Sequence, residues 1–322
     1  MFEDIQLASL ADAMNEGLFV VDRHRNIVLW NRAAERLAGY RSEEIVGRQC
    51  HDGLLVHVDG HGNALCDRAC PVAMCGADGG IHRTTAYLRH RDGHRLPMHV
   101  RTVPVRRTDG HVLGIAQLFD DAWDRTSRFE LFASLRRLSM VDQLTRLPNR
   151  RYLLKALTGC ADTFRLYGWR FGVLLVGLDG DCERIDPTGE ARLEQLLRMT
   201  GATLCACVGT RDAVGRWGRR EFLVVAEHTD VAQLADLGER LRALVASSFT
   251  SSSRGLLMTT VSIGGTISRP GDEGEELLRR VASCLRSSRR SGGDSVMVDL
   301  GESAPPAERG ASLAAGGASG AA

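Results

Sequence analysis

The sequence predicts two units in series, an α+β unit followed by an α/β unit, joined by one amphipathic helix. Three observations predict this. The 322 residues exceed the usual size of one domain and fit about two. Composition changes along the chain: nine of the ten histidines lie before residue 122, together with Cys50, Cys66, Cys70 and Cys75. The element order changes too, from strand pair, short helices and three strands to an alternation of helices and strands.

In the first unit, Leu7, Leu10, Ala11 and Met14 share a helical face. Gly17 to Asp22 and Ile27 to Trp30 follow as two strands around a turn at Arg23 to Asn26. Asn31 is an N-cap candidate for a short helix that ends near Gly39. Thr84 to His90, Arg95 to Pro104 and Val112 to Phe119 read as strands, with Asp92-Gly93 and Asp109-Gly110 as hairpin turns. Residues 120–140 set Trp123, Leu131, Phe132, Leu135 and Leu138 against a charged face, a helix able to pair with a second copy of itself. The domains therefore read as 1–122, a linker at 123–141, a second domain at 142–300, and a Gly/Ala-rich tail at 301–322 that lacks the apolar residues for a core.

In the second unit the expected elements are a helix to about Leu157, a strand from Phe171 to Leu178, and a helix from Ala191 to Val208. A hairpin follows around Arg216 to Phe222, then a helix from Val231 to Val245. A strand from Leu256 to Thr266, a helix from Glu275 to Ser288 and a strand from Ser295 to Val298 complete a mixed central sheet. In the hairpin, Gly218 is the residue expected to adopt positive φ.

A net charge of +1 gives no reason to expect DNA or an anionic membrane as partner. No apolar run approaches the roughly 18 residues of a membrane span, and the Met1-Phe2-Glu3-Asp4 start lacks the pattern of a secretion signal, so a cytoplasmic protein is expected. In a reducing compartment the cysteines are not expected to pair as disulfides. Cys50, Cys66, Cys70 and Cys75 admit two readings. They are either small buried thiols or a zinc, iron–sulfur or redox-thiol site, with Cys66 and Cys70 on one face if their segment is helical. His57 and His61 read as surface histidines rather than haem ligands.

The first unit resembles a PAS sensory domain. The resemblance rests on Gly17 to Asp22, Trp30-Asn31-Arg32-Ala33-Ala34-Glu35, Gly39-Tyr40, Glu43 to Arg48 and Gly114 to Phe119. It implies a five-stranded antiparallel sheet with helices cupping a small-molecule or cofactor pocket. A flavin-cysteine photoreceptor signature is absent.

The second unit resembles the GGDEF domain of diguanylate cyclases. Asp142-x-Leu144-Thr145-x-Leu147-Pro148-Asn149-Arg150-Arg151 matches the family's opening motif. Val261-Ser262-Ile263-Gly264-Gly265 and Glu275-Glu276-Leu277-Leu278 match near its end. The resemblance implies a palm-like fold and a homodimer in which two GTP molecules, held with Mg²⁺, become cyclic di-GMP. Such chemistry needs hard cations on carboxylate oxygens to stabilise charge at the attacking and leaving oxygens.

Laid on this family, the sequence departs from it at the site. The first metal-binding Asp falls on Gly177, while Asp179 keeps the second acidic position and Asp181 lies close by. Of the signature turn, Gly218, Glu221 and Phe222 remain, but Arg219 replaces a glycine and Arg220 replaces the metal-binding acid. The guanine-reading Asn falls on Ile185, and its acidic companion on Glu194. Of two phosphate-binding cations, one falls on Arg289 and the other on Gly293. The Arg-x-x-Asp of the product-inhibition site falls on Gly209 and Asp212.

Exchanging attraction for repulsion about 4 Å from a metal costs several kcal/mol even at an effective dielectric of about 20. The expectation is a signalling protein with a sensor joined to a cyclase-like domain whose activity is lost, binding nucleotide or a protein partner instead. The arginines then either relax into solvent or bind phosphate directly. Two alternatives stand beside this: a weakly active cyclase using Asp179, Asp181 and Glu221, and a metal- or redox-responsive sensor whose second half serves dimerisation.

Overall fold

The computed structural model describes residues 7–52, 55–122, 139–180, 187–252, 255–272 and 274–299. The first half opens with α1 (Leu7–Asp12), β1 (Gly17–Val21), β2 (Ile27–Trp30), α2 (Arg32–Ala38) and α3 (Ser42–Ile45). It continues with α4 (Leu65–Arg68), α5 (Pro71–Asp78), β3 (His82–Arg89), β4 (Arg95–Arg106) and β5 (Val112–Asp121). The strands form one antiparallel sheet in the order β2-β1-β5-β4-β3. Phe19, Trp30 and Phe119 cluster in its core with ring centroids 5.8 to 6.2 Å apart.

Asn31 explains how β2 passes into α2. Its Oδ1 accepts from Leu18 N–H at 2.9 Å and Ala34 N–H at 2.8 Å, while its amide donates to the carbonyls of Ala11 and Glu16. A buried side-chain amide with this many partners fixes the corner at which α1, β1 and α2 meet.

The second half holds α6 (Arg150–Tyr167), β6 (Phe171–Leu178), α7 (Pro187–Cys207), β7 (Ala213–Arg216), β8 (Glu221–Glu227) and α8 (Val231–Ala246). After these come β9 (Thr250–Ser252), β10 (Gly255–Leu257), β11 (Val261–Ile267), α9 (Gly274–Arg290) and β12 (Val296–Asp299). Its sheet has the order β12-β11-β6-β8-β7, with β11 and β12 parallel and the remaining pairs antiparallel. All eight residues of the central strand β6 are buried, because helices cover both faces of the sheet. The fold is the one expected, an antiparallel α+β unit followed by an α/β unit with a mixed sheet.

Several expectations change in detail. Helix α6 runs past Leu157 to Tyr167, because Cys160, Ala161 and Phe164 continue the apolar face of Leu153 and Leu157; Gly168, at φ 71°, caps it. The stretch from Leu256 to Thr266 is two strands, broken where the Thr260 carbonyl turns to accept the Asp179 N–H. Cys66 and Cys70 do not share a helix, since α4 ends at Arg68 and Cys70 precedes Pro71 at the start of α5. His57 is buried, only 8% exposed, rather than at the surface. Strand β5 extends through Asp121, so Asp120 is not part of the expected connecting helix. Most of that helix, at residues 123–138, and the tail from Gly301 lie outside the described residues.

The two halves pack against each other. Val58, from the first half, sits in the same core as Val245 and Leu244 of α8. Arg95 at the start of β4 is 1% exposed, and its guanidinium donates to the carbonyls of Val56 at 2.5 Å and Ser247 at 2.6 Å. Burial lowers its pKa to about 10, which still leaves it charged at neutral pH.

Candidate functional site

The turn between β7 and β8, the end of β6 and the end of α9 enclose an open cleft of about 600 Å³. Asp179, Arg219, Arg220, Glu221, Arg289 and Gly293 lie on its walls. Strand pairing builds it, because Gly177 on β6 stands opposite Glu221 on β8 and Ser262 on β11. The opening motif supports the hairpin from behind. Asp142 Oδ1 accepts from the N–H and hydroxyl of Thr145, Asn149 caps α6 through the N–H groups of Arg151 and Tyr152, and Leu144 packs on the core. The Arg216 N–H donates to the Pro148 carbonyl at 2.8 Å, and the Arg150 guanidinium lies 4.6 Å from the Trp217 ring centroid. Asp142, Leu144, Thr145, Asn149 and Arg150 thus hold the frame and stay away from the cleft.

Gly218 does not take positive φ, contrary to expectation. The turn is shaped instead by Arg216, whose guanidinium donates to the carbonyls of Gly218 and Arg219. The N–H groups of Trp217 and Gly218 both reach the Glu221 carbonyl.

The charged groups are committed in a way that leaves little for a metal. Asp179 accepts from Ser262 Oγ at 2.6 Å, Thr260 Oγ1 at 2.9 Å and Asp294 N–H at 2.9 Å. Glu221 faces Arg289 at 3.6 Å. The Arg220 guanidinium donates to the carbonyls of Asp179 at 3.0 Å and Gly180 at 2.7 Å. A β-carbon on Gly177 would collide with Arg289 Nη2 and lie 2.9 Å from its Cζ. Gly293, at φ 77°, lies against the Asp179 carboxylate, in a backbone conformation that strains any residue with a β-carbon. Magnesium requires oxygen ligands in near-octahedral array. A cleft with one locked carboxylate, one ion-paired carboxylate and three guanidinium groups on its walls does not fit it.

Elsewhere, Glu194 lies on α7 and pairs with Arg198 at 2.9 Å, outside the cleft. The Asp212 carboxylate is spent on the N–H groups of Gly209 and Glu227. Asp181 and Ile185 lie outside the described residues.

In the first half, Cys66 donates to Cys70, which pulls the Cys70 thiol below and pushes the Cys66 thiol above the usual cysteine range. Burial raises Cys50 to about 11. Cys75 is buried, and burial, then the neighbouring Asp78, raises its thiol. These four cysteines do not bring three or more sulfurs within 4.8 Å of one another. What the structure brings together here is a Cys66–Cys70 pair with Cys50 beside it. Among the described residues the one group of three or more metal-competent side chains that does converge is His90, Asp92 and His94, on the β3–β4 hairpin. Sequence reading took that hairpin only as a turn, although the His-x-Asp-x-His spacing was available as a signal.

Comparison with known families agrees with this architecture. The profile of the PAS fold matches residues 5–121, and that of the diguanylate cyclase GGDEF domain matches residues 139–295. The chain is a PAS–GGDEF protein.

Curated relatives of this PAS–GGDEF protein include the response regulator PleD of Caulobacter vibrioides, 32% identical over 163 residues, spanning 50% of this chain and 36% of PleD. The diguanylate cyclase DgcM of Escherichia coli is 27% identical over 175 residues, 54% of this chain and 42% of DgcM. The PAS–GGDEF protein thus spans less than half of either relative. Among solved structures, diguanylate cyclase SiaD of Pseudomonas aeruginosa, in complex with its activator SiaC, aligns at 26% identity and TM-score 0.49. That alignment covers 54% of this chain and 67% of SiaD. No helix among the described residues is long and apolar enough to cross a membrane.

Proposed function

We propose that this PAS–GGDEF protein is a signalling protein whose GGDEF domain does not make cyclic di-GMP and serves as a metal-independent site for a phosphorylated nucleotide, under control of the PAS domain. The observation that carries this reading is Arg289 lying over Gly177, the position from which the family's metal-binding carboxylate projects. Arg220 takes the second metal-binding position, so cations stand at both. A guanidinium recognises phosphate oxygens by paired, charge-assisted hydrogen bonds and needs no metal to do so. Arg219, Arg220 and Arg289 on one cleft suit GTP or cyclic di-GMP, and the same basic surface suits an acidic protein partner. A homodimer joined through residues 123–141, in the cytoplasm, belongs to this proposal.

The test incubates the purified full chain with GTP and Mg²⁺ or Mn²⁺ and looks for cyclic di-GMP, alongside calorimetric titration with GTP and with cyclic di-GMP in chelator. The expected result is binding without turnover. Turnover that disappears in Glu221→Ala would establish instead a cyclase working through Asp179, Asp181 and Glu221. Absence of binding by either nucleotide would remove the nucleotide-site reading.

A further inference from the structure

The β3–β4 hairpin carries three metal-competent side chains that the cleft does not involve. His90 N–H donates to the His94 carbonyl at 2.9 Å, so the two histidines are cross-strand partners and their rings leave the sheet on the same face. The rings stack with centroids 4.4 Å apart at 28°. Asp92, at the tip, turns back toward them, with Oδ2 3.5 Å from His90 Nδ1. One ligand atom from each of the three lies within 4.8 Å of the other two.

We infer that His90, Asp92 and His94 form a binding site for a borderline divalent transition-metal ion of the zinc and cobalt class. Two imidazoles and one carboxylate are the donor set such ions accept, and three protein ligands leave a coordination position for water. Metal bonds of about 2.0 to 2.2 Å require donors roughly 3.3 Å apart; Asp92 Oδ2 stands 3.5 Å from His90 Nδ1, and a metal on that nitrogen takes the place of the Asp92 N–H that donates to it at 3.1 Å. The neighbouring Arg91 is already neutralised by Glu44 at 2.8 Å, which limits its repulsion of a cation.

The hairpin is also seated on the other half of the molecule. A β-carbon on Gly93, at φ 94°, would collide with the Phe249 carbonyl oxygen and lie 2.8 Å from its carbon. The flanking Arg89 stacks 4.0 Å from the Phe249 ring centroid, and Arg95 reaches the Ser247 carbonyl. The ion therefore binds on the contact between the sensor and the GGDEF domain.

The experiment titrates the full chain, stripped with chelator and kept reduced, with Co²⁺ alone and with Zn²⁺ alone. One equivalent of Co²⁺ is expected, with visible d–d absorption and no thiolate-to-cobalt charge-transfer band. His90→Asn/His94→Asn should weaken binding by more than about 100-fold, beyond what loss of an outer-sphere partner costs. Cys66→Ser/Cys70→Ser should bind as the parent does. Asp92→Asn, which preserves the shape of the turn, should weaken binding in the same direction and guards against a folding defect in the double variant. Absence of binding, binding unchanged by the histidine substitutions, or a charge-transfer band that marks thiolate ligation would each overturn the assignment.

Discussion

Arg289 lies across Gly177, with its Cζ 2.9 Å from the point where a β-carbon on that glycine would stand. The same guanidinium faces the Glu221 carboxylate at 3.6 Å. A glycine at position 177 of β6 thus leaves room for a cation from α9, and that cation faces the Glu221 carboxylate of the turn.

Arg289→Ala is predicted to weaken GTP binding in the absence of divalent ions by about tenfold or more, the contribution of a charge-assisted hydrogen bond. Calorimetry in chelator reads the change. Equal affinity in the two proteins, or affinity that appears only with Mg²⁺, would contradict a guanidinium site.

Asp179 is a structural carboxylate, because three donors converge on it from β10–β11, β11 and the segment before β12. Asp179→Asn leaves part of that cluster unsatisfied and should lower stability by about 1 to 3 kcal/mol. Urea unfolding measures the loss. A variant of unchanged stability whose nucleotide binding becomes metal-sensitive would show that the carboxylate belongs to the ligand.

Arg95→Met removes the cation that the Val56 and Ser247 carbonyls receive. The side chain keeps its length, but the carbonyls are left in an apolar contact. A loss on the order of 3 kcal/mol is expected. Urea curves followed separately in the two halves should then part, where those of the parent coincide. Coincident curves at the parent midpoint would show that Arg95 does not couple the two halves.

His57 gives stability a pH dependence. Burial, then the charge of Arg95, lowers its pKa to about 4, against about 6.5 in an unfolded chain. Between these values the unfolded state binds more protons, so the contribution is fully present above about pH 6.5 and is lost as pH falls toward 4. At about 1.4 kcal/mol per pH unit, the loss across this window is roughly 3 kcal/mol. His57→Phe should flatten that part of the stability profile, and an unchanged slope would assign it to other groups.

The Cys66–Cys70 pair should be chemically asymmetric. Cys70 is expected to react with iodoacetamide at lower pH than an ordinary thiol, and Cys66→Ala should move that reactivity upward by removing the donor that holds the thiolate. Mass spectrometry of labelled peptides locates the site. Labelling with the pH profile of a free cysteine in both proteins would discard the pair as a redox element.

Much of this was legible from local pattern. The period-two strands, the apolar run of β6, and the Asn31 and Asn149 caps are signals contained within a few residues. The expectation that Gly177 and Arg220 stand in place of carboxylates rests on the resemblance to a family and on no local pattern. The partner of Gly177 was not legible, since Arg289 arrives from another helix and no spacing along the chain encodes their meeting. The break at Met258 to Thr260 was hidden for the same reason, because the demand comes from Asp179 across the sheet. His57 reads as a surface residue by type, and its burial beside Arg95 is a tertiary outcome that no local pattern announces. The His90-Asp92-His94 group was masked by a good turn signal, Asp92-Gly93, which accounted for the segment before its side chains were considered.

Val58 belongs by sequence to the first half and by packing to the core of the second. The seam along the chain and the seam through the interior therefore run in different places. A fragment cut at the connector would carry away one residue of its neighbour's interior and leave the Ser247 carbonyl without its guanidinium. The two halves should consequently fail together under stress, and grafting this PAS domain onto a different domain would require the foreign surface to supply a socket for Val58 and Arg95.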